Sequence, residues 1–301
     1  MSSPGLGILR VFEQLFSIIA PVMICAAIGY AWAYHGRPYN TEMVTHLVTA
    51  VGVPSLVFTT LVNVDVELDA LARMAGATGA AVAIMALVGT VILKVWGQSI
   101  RAFLPAMVFP NTGNVGLPLA LLAFGPEGMA LAVAYFTVCI IFQFTLGVAL
   151  SAGVTSVQAL LRVPTLYAMA LALAFKVSDT TVPQWAANTV EMLGGFTIPL
   201  MLITLGISLQ QLKVGQFGKS AFIAAVRLVM GFAVGLGLAE AMGFDGVMKG
   251  VLILQSTMPV AVFNYLFAAR YNTEPEAVAG TVVLSTVMSF ATLPILLLFI
   301  L

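Results

Sequence analysis

Residues Phe109 to Pro118 read Phe-Pro-Asn-Thr-Gly-Asn-Val-Gly-Leu-Pro, in the middle of an apolar segment that runs from about Ile100 to Phe124. At 1.5 Å per residue, about 25 helical residues are enough to cross a bilayer. Yet two prolines, two glycines and two asparagines occupy the centre of this one. Pro110 lacks a backbone donor and clashes with the preceding helical turn, while Gly113 and Gly116 can adopt dihedrals that other residues avoid. Unpaired backbone groups in hydrocarbon cost several kcal/mol each, so a broken span survives only where it is buried in protein or lines a polar cavity. The break is therefore a candidate binding site.

The surrounding chain fits that environment. Of its 301 residues, 61% are hydrophobic and 8% charged, and the mean hydropathy of +1.08 belongs to a polytopic membrane protein. Net charge is zero, which gives no sign of a nucleic-acid partner. Cys25 and Cys139 sit alone in apolar runs, and neither His35 nor His46 has metal-ligand spacing, so no metal and no cofactor is expected. The first ten residues lack a cleavable signal pattern, and the first apolar run is expected to be retained as a span.

Apolar runs bounded by charge, Gly or Pro give ten expected spans, near 12–33, 43–63, 70–95, 100–124, 127–152, 164–178, 184–209, 218–242, 246–270 and 276–301. With that count, one face holds both termini with Arg10, Arg73, Lys176 and Lys249. The other holds Arg37, Lys94, Arg101, Arg162, Lys213, Lys219 and Arg270. The excess on the second face places it inside and both termini outside, which in a bacterial inner plasma membrane means periplasmic.

The prolines reveal an internal duplication. Pro21, Pro38, Pro54, Pro110 and Pro126 recur as Pro164, Pro183, Pro199, Pro259 and Pro275, at offsets of 143, 145, 145, 149 and 149. Five spans per repeat is an odd number, so the second copy enters the membrane inverted. Interrupted helices in inverted repeats mark the binding sites of secondary transporters. The repeat partner of the first break is Gln255-Ser-Thr-Met-Pro-Val-Ala-Val-Phe-Asn264, in the ninth span. If the two breaks cross, two half-helix N-termini converge on one spot. Each is equivalent to about +0.5 charge and offers free N–H groups suited to an anion. The half-helix C-termini, around Ala106 to Phe109 and Leu254 to Thr257, offer carbonyls to a cation or a positively charged side chain.

At these residues the sequence resembles the auxin efflux carrier family. The resemblance rests on Pro110-Asn111-Thr112 with Gly116-Leu117-Pro118-Leu119, and on Met258-Pro259 with Phe267 to Asn272 and Pro275-Glu276. Ala20-Pro21, Val53-Pro54 and Thr204-Leu205-Gly206-Ile207 add to it. It implies an all-α membrane protein of ten helices in two inverted five-helix repeats, with broken, crossing helices four and nine. Residues 1–66 and 156–212 would form a scaffold that dimerises, and 67–155 and 213–301 a transport domain that moves against it as an elevator. It also implies a carboxylate at the crossover with Asn111 as a direct contact. Two departures stand out. The large cytoplasmic loop of plant members is replaced by the segment around Ser151 to Val163, and Asn264 stands where plant carriers have a second proline, which points to a small carboxylate.

The candidate substrate contacts are Asn111, Thr112, Gly113, Asn114, Gln255, Asn264 and Ser55, with Pro110, Pro118 and Pro259 as helix breakers. Asn111 and Asn114 could equally cap the freed backbone, and Thr112 and Gly113 would act through N–H groups. Ser55 and Thr59 share a helix face, and back-bonding to their own helix is the expected alternative. Gln143 and Tyr135 are candidates to line the cavity. Arg227, about 15 Å deep by helical rise, and Glu191 are candidates for coupling or charge compensation; an interhelical ion pair is the plain alternative for Arg227. The expected function is secondary transport of a small organic anion, a mono- or dicarboxylate, auxin-like acids included. The alternative is a sodium/proton antiporter or sodium-coupled carrier on a similar fold, but neither break contains Asp or Glu. No HExxH motif or paired carboxylates support an intramembrane enzyme, and opposed broken helices suit an occluded site better than a channel.

Overall fold

The computed structural model describes residues 4–152, 161–178 and 180–301, and every regular element among them is helical. In order they are α1 (Pro4–Tyr34), α2 (Thr41–Leu47), a π-helical turn (Val48–Gly52) and α3 (Val53–Asn63). Then come α4 (Leu68–Val95), α5 (Ile100–Val108), a second π-helical turn (Thr112–Gly116) and α6 (Leu117–Phe142). A third π-helical turn (Gln143–Gly147) leads into α7 (Val148–Ala152). The second half comprises α8 (Pro164–Val177), α9 (Gln184–Gly195), α10 (Thr197–Gln211), α11 (Phe217–Ala241), α12 (Gly246–Thr257), α13 (Val262–Tyr271) and α14 (Pro275–Ile300). The division drawn at 155/156 falls outside the described residues.

Seven apolar helical stretches are long enough to cross a membrane among the described residues. The other expected spans are shorter or merged, and the cause is local. The fourth is cut at Phe109–Asn111 into a nine-residue α5 and the start of α6. The ninth is cut at Met258–Ala261 into α12 and α13, of 12 and 10 residues. The sixth is the 14-residue α8. Within α6, Gly125 takes φ +66°, a left-handed conformation that glycine adopts freely, and this bend separates Leu117–Phe124 from the helix that Pro126 begins.

Packing falls into two sets of neighbours. In one, α1 lies along α10, and α3 lies against α8 and α9; in the other, α11 packs on α12 and α14, and α4 packs on α5 and α6. The α1–α10 contact is backbone to backbone. A Cβ at Gly29 would stand 1.9 Å from the Ile203 carbonyl oxygen, and one at Gly206 would stand 1.9 Å from that of Ala26. With no hydrophobic force between helices in lipid, such close approach of small residues is what holds two spans together.

Candidate functional site at the crossing of two broken helices

The two breaks lie antiparallel against each other. Pro110 faces Val260 in a single β-bridge, flanked by Asn111 N–H donating to the Pro259 carbonyl at 2.7 Å and Ala261 N–H donating to that of Phe109 at 3.2 Å. In this pattern the facing pair itself uses neither N–H. That is why proline is tolerated at 110: the donor it lacks has no place in the ladder. Pro259 likewise contributes only its carbonyl. On the other side Val260 retains an N–H with no ladder partner, and Ser285 Oγ of α14 accepts it at 3.0 Å. Ser285 has no sequence signal, being one hydroxyl among several in an apolar span.

Both breaks are buried in protein. Phe109, Val260, Gln255 and Ser256 are fully inaccessible, with Asn111, Thr112 and Asn264 nearly so. This is the condition under which membrane proteins tolerate irregular backbone. Asn111 serves as the cap of the second π-helical turn: its Oδ1 accepts from Asn114 N–H at 3.3 Å, and its carbonyl accepts from Val115 and Gly116. π-helical turns recur at functional sites. The first N–H groups of this segment, at Thr112 and Gly113, have no intrahelical acceptor, as at every helix start. Pro118 is the second residue of α6, directly after that turn.

The candidate amides converge here. Asn264 Nδ2 donates to the Phe109 carbonyl at 3.0 Å, tying α13 to the end of α5. Gln255 lies under the second π-helical turn, its Oε1 occupying the space that a Cβ on Gly116 would enter at 2.1 Å. The third π-helical turn, which Gln143 opens, packs on the Phe109 ring through Gly147. Asn111 Nδ2, Gln143 Nε2, Asn264 Oδ1 and both polar atoms of the Gln255 amide are buried with no protein partner. Leaving such a group unpaired costs about 1–3 kcal/mol, and native interiors keep few of them. An amide can present either its donor or its acceptor end to a guest.

Gly116→Ala tests this arrangement. The added methyl meets the flexible end of Gln255, not backbone, so the fold should hold while Gln255 is displaced. Carboxylate affinity is expected to fall about tenfold, for the loss of one hydrogen bond to a charged group, with the melting temperature of the ligand-free protein within a few degrees of wild type. Equal affinity in the two proteins would remove Gln255 from the site.

Arg227 is fully buried on α11. Its Nη2 donates to the Ser256 carbonyl at 2.9 Å at the C-terminal end of α12, and Nη1 lies 3.4 Å from Met85 Sδ. Ser256 Oγ in turn lies 3.1 Å from the Tyr135 hydroxyl. Ion pairs among the described residues are Lys219–Glu274 and Lys249–Glu240, so the interhelical ion pair considered for Arg227 is not found. Of the choices the half-helix carbonyls left open, the α12 end takes a positively charged side chain.

Other candidates lie elsewhere. Glu191 is on an exposed face of α9, which packs against α3 and α10. Ser55 lies where α3 presses on Gly194 of α9. Thr59 Oγ1 does not bond back to its own helix as expected; it is buried without a protein partner.

Comparison with known proteins adds to this geometry. Residues 151–297 match the family model described as membrane transport protein. An uncharacterized transporter of Methanothermobacter thermautotrophicus is 24% identical over 303 residues, covering 95% of this chain and 98% of its own. A second uncharacterized transporter, from Methanocaldococcus jannaschii, is 25% identical over 293 residues, covering 90% and 94%. Auxin efflux carrier component 1 of Arabidopsis thaliana is 29% identical over 121 residues, covering 39% of this chain and 19% of its own. The chain is thus similar to membrane transporters of the auxin efflux carrier family. Its long apolar helices make it an integral membrane protein, and the buried polar crossing is a feature that a carrier has use for. Intramembrane polar groups of this kind are costly, so a functional site is their default reading.

Proposed function

We propose that this carrier is a secondary transporter of a small organic anion, a mono- or dicarboxylate, whose carboxylate is held where the two broken helices cross. The observation that carries the reading is the set of buried, unpartnered amide groups of Asn111, Gln143, Gln255 and Asn264 around two converging helix starts. Partial positive charge and N–H donors suit an anion. No carboxylate stands in either break to hold a cation, which disfavours the sodium/proton antiporter and the sodium-coupled carrier. The Arabidopsis relative is named an auxin efflux carrier, and auxin-like acids belong in the substrate panel.

In this proposal the chain crosses the membrane ten times, with the two cut segments and α8 completing the seven long stretches. The proline register supports two inverted repeats. The two packing sets support a scaffold of residues 1–66 and 156–212 and a moving transport domain of 67–155 and 213–301, working by alternating access in elevator fashion. Dimerisation through the scaffold, a plasma-membrane location and outward-facing termini complete the proposal.

The test is a thermal-shift panel of mono- and dicarboxylates on purified protein, followed by uptake into proteoliposomes under a pH gradient, a sodium gradient or a membrane potential alone. At a concentration 100 times its Kd, a carboxylate bound only by the folded state should add about 2.7 kcal/mol of stability. Stabilisation by sodium, with none by any carboxylate, would favour the antiporter instead.

A further inference from the structure

Arg227 stands out because a buried guanidinium is costly without a counter-charge, and no ion pair among the described residues includes it. The fold has been shaped to place it. Arg227, Gly231 and Gly235 fall four residues apart on α11 and so share one face. A Cβ at Gly231 would stand 2.1 Å from the Ser256 carbonyl oxygen and 2.6 Å from Arg227 Nη1; one at Gly235 would stand 2.9 Å from Ser256 Cβ. The two glycines let α11 press against the end of α12, and the guanidinium then reaches the Ser256 carbonyl, three residues before Pro259. That carbonyl end carries the negative pole of the α12 dipole, worth about half a charge, so part of the arginine's charge is left over. Nε has no partner.

We propose that Arg227 is the reserved counter-charge of the transported anion: a positioning residue, held behind the crossing by Ser256, whose field favours a charged guest over a neutral one of the same shape. The inference rests on the anion reading above and adds to it the source of charge selectivity. The crossing's own amides are neutral and bind a carboxylate or a carboxamide through similar hydrogen bonds. A full positive charge in a medium of low effective dielectric distinguishes the two. Since the cation has no carboxylate partner among the described residues, an arriving anion also relieves its burial.

The test compares wild type with Arg227→Gln and Arg227→Lys, using choline salts of acetate, lactate, succinate and indole-3-acetate, with indole-3-acetamide as the neutral counterpart. Gln retains a donor for the Ser256 carbonyl without the charge. Removing a buried unpaired charge should leave the ligand-free protein melting at or above the wild-type temperature. Carboxylate affinity should fall tenfold or more, with any affinity for the amide unchanged, and Lys should restore carboxylate affinity to within a few fold. If Arg227→Gln binds carboxylates as wild type does, the counter-charge assignment is wrong while the anion site stands. If the ligand-free Gln variant melts well below wild type, Arg227 is a structural tie and the assignment is again wrong. If no carboxylate shifts the wild type, the anion reading falls and this inference with it.

Discussion

Asn111→Asp should leave a folded carrier that no longer binds or takes up carboxylates. Asp is as good a cap as Asn, so its carboxylate can still accept from Asn114 N–H as Oδ1 does now, and a negative charge at a helix start is favourable. The cap and the helix-start charge offset part of the cost of burying a carboxylate at this nearly inaccessible position. The site loses the unpartnered Nδ2 donor and gains a negative charge facing the guest. Two like charges 4 Å apart at an effective dielectric of 20 repel by about 4 kcal/mol, roughly a thousandfold in affinity. Asn111→Ala should also abolish uptake; it removes the cap, at about 1 kcal/mol, but introduces no charge. Uptake into proteoliposomes beside thermal unfolding separates the two effects. A well-folded Asp variant that still transports a carboxylate would falsify the anion site at the crossing.

The second large effect is expected on stability. Gly206→Val adds a branched side chain where even a Cβ would lie 1.9 Å from the Ala26 carbonyl oxygen and 2.8 Å from the Tyr30 nitrogen. Both are helical backbone and cannot turn aside as a side chain does, so α1 and α10 must separate along their contact. Overpacking a close contact costs about 1–3 kcal/mol, and more where the backbone must move, against a total stability of about 5–15 kcal/mol. The variant should be recovered in low yield, with a melting temperature lowered by many degrees. Gly76→Ala is the control, since nothing lies within 4 Å of a Cβ there, and alanine is the better helix former. A Gly206→Val protein that melts with wild type would mean that the two helices are not in backbone contact.

Several features of the site could be read without coordinates. The Pro-Asn-Thr-Gly-Asn-Val-Gly-Leu-Pro composition excludes a continuous helix on steric grounds alone, and the structure breaks there, with α5 ending at Val108 and α6 resuming at Leu117. Gln255 and Asn264 bracket the second break in the sequence, and both are buried, Asn264 against the end of α5. The role of Ser285 was not legible. Whether its hydroxyl faces the freed Val260 N–H depends on how α14 is rotated, and a serine that bonds its own helix has the same sequence neighbourhood. Nor could Arg227 be assigned a partner: its depth was computable, but whether it met a carboxylate or a carbonyl turned on the approach of α11 to α12.

The sequence by itself determined the membrane class, the places where helices must break and the absence of acids from the breaks, because these follow from local sterics, hydropathy and residue identity. Only the tertiary structure decided which orphaned donor meets which acceptor. The β-bridge at Pro110 and Val260, the Ser256 carbonyl under Arg227 and the unpaired amides arise between segments roughly 30 to 160 residues apart, and a hydrogen bond depends on ångström distances that no spacing along the chain encodes.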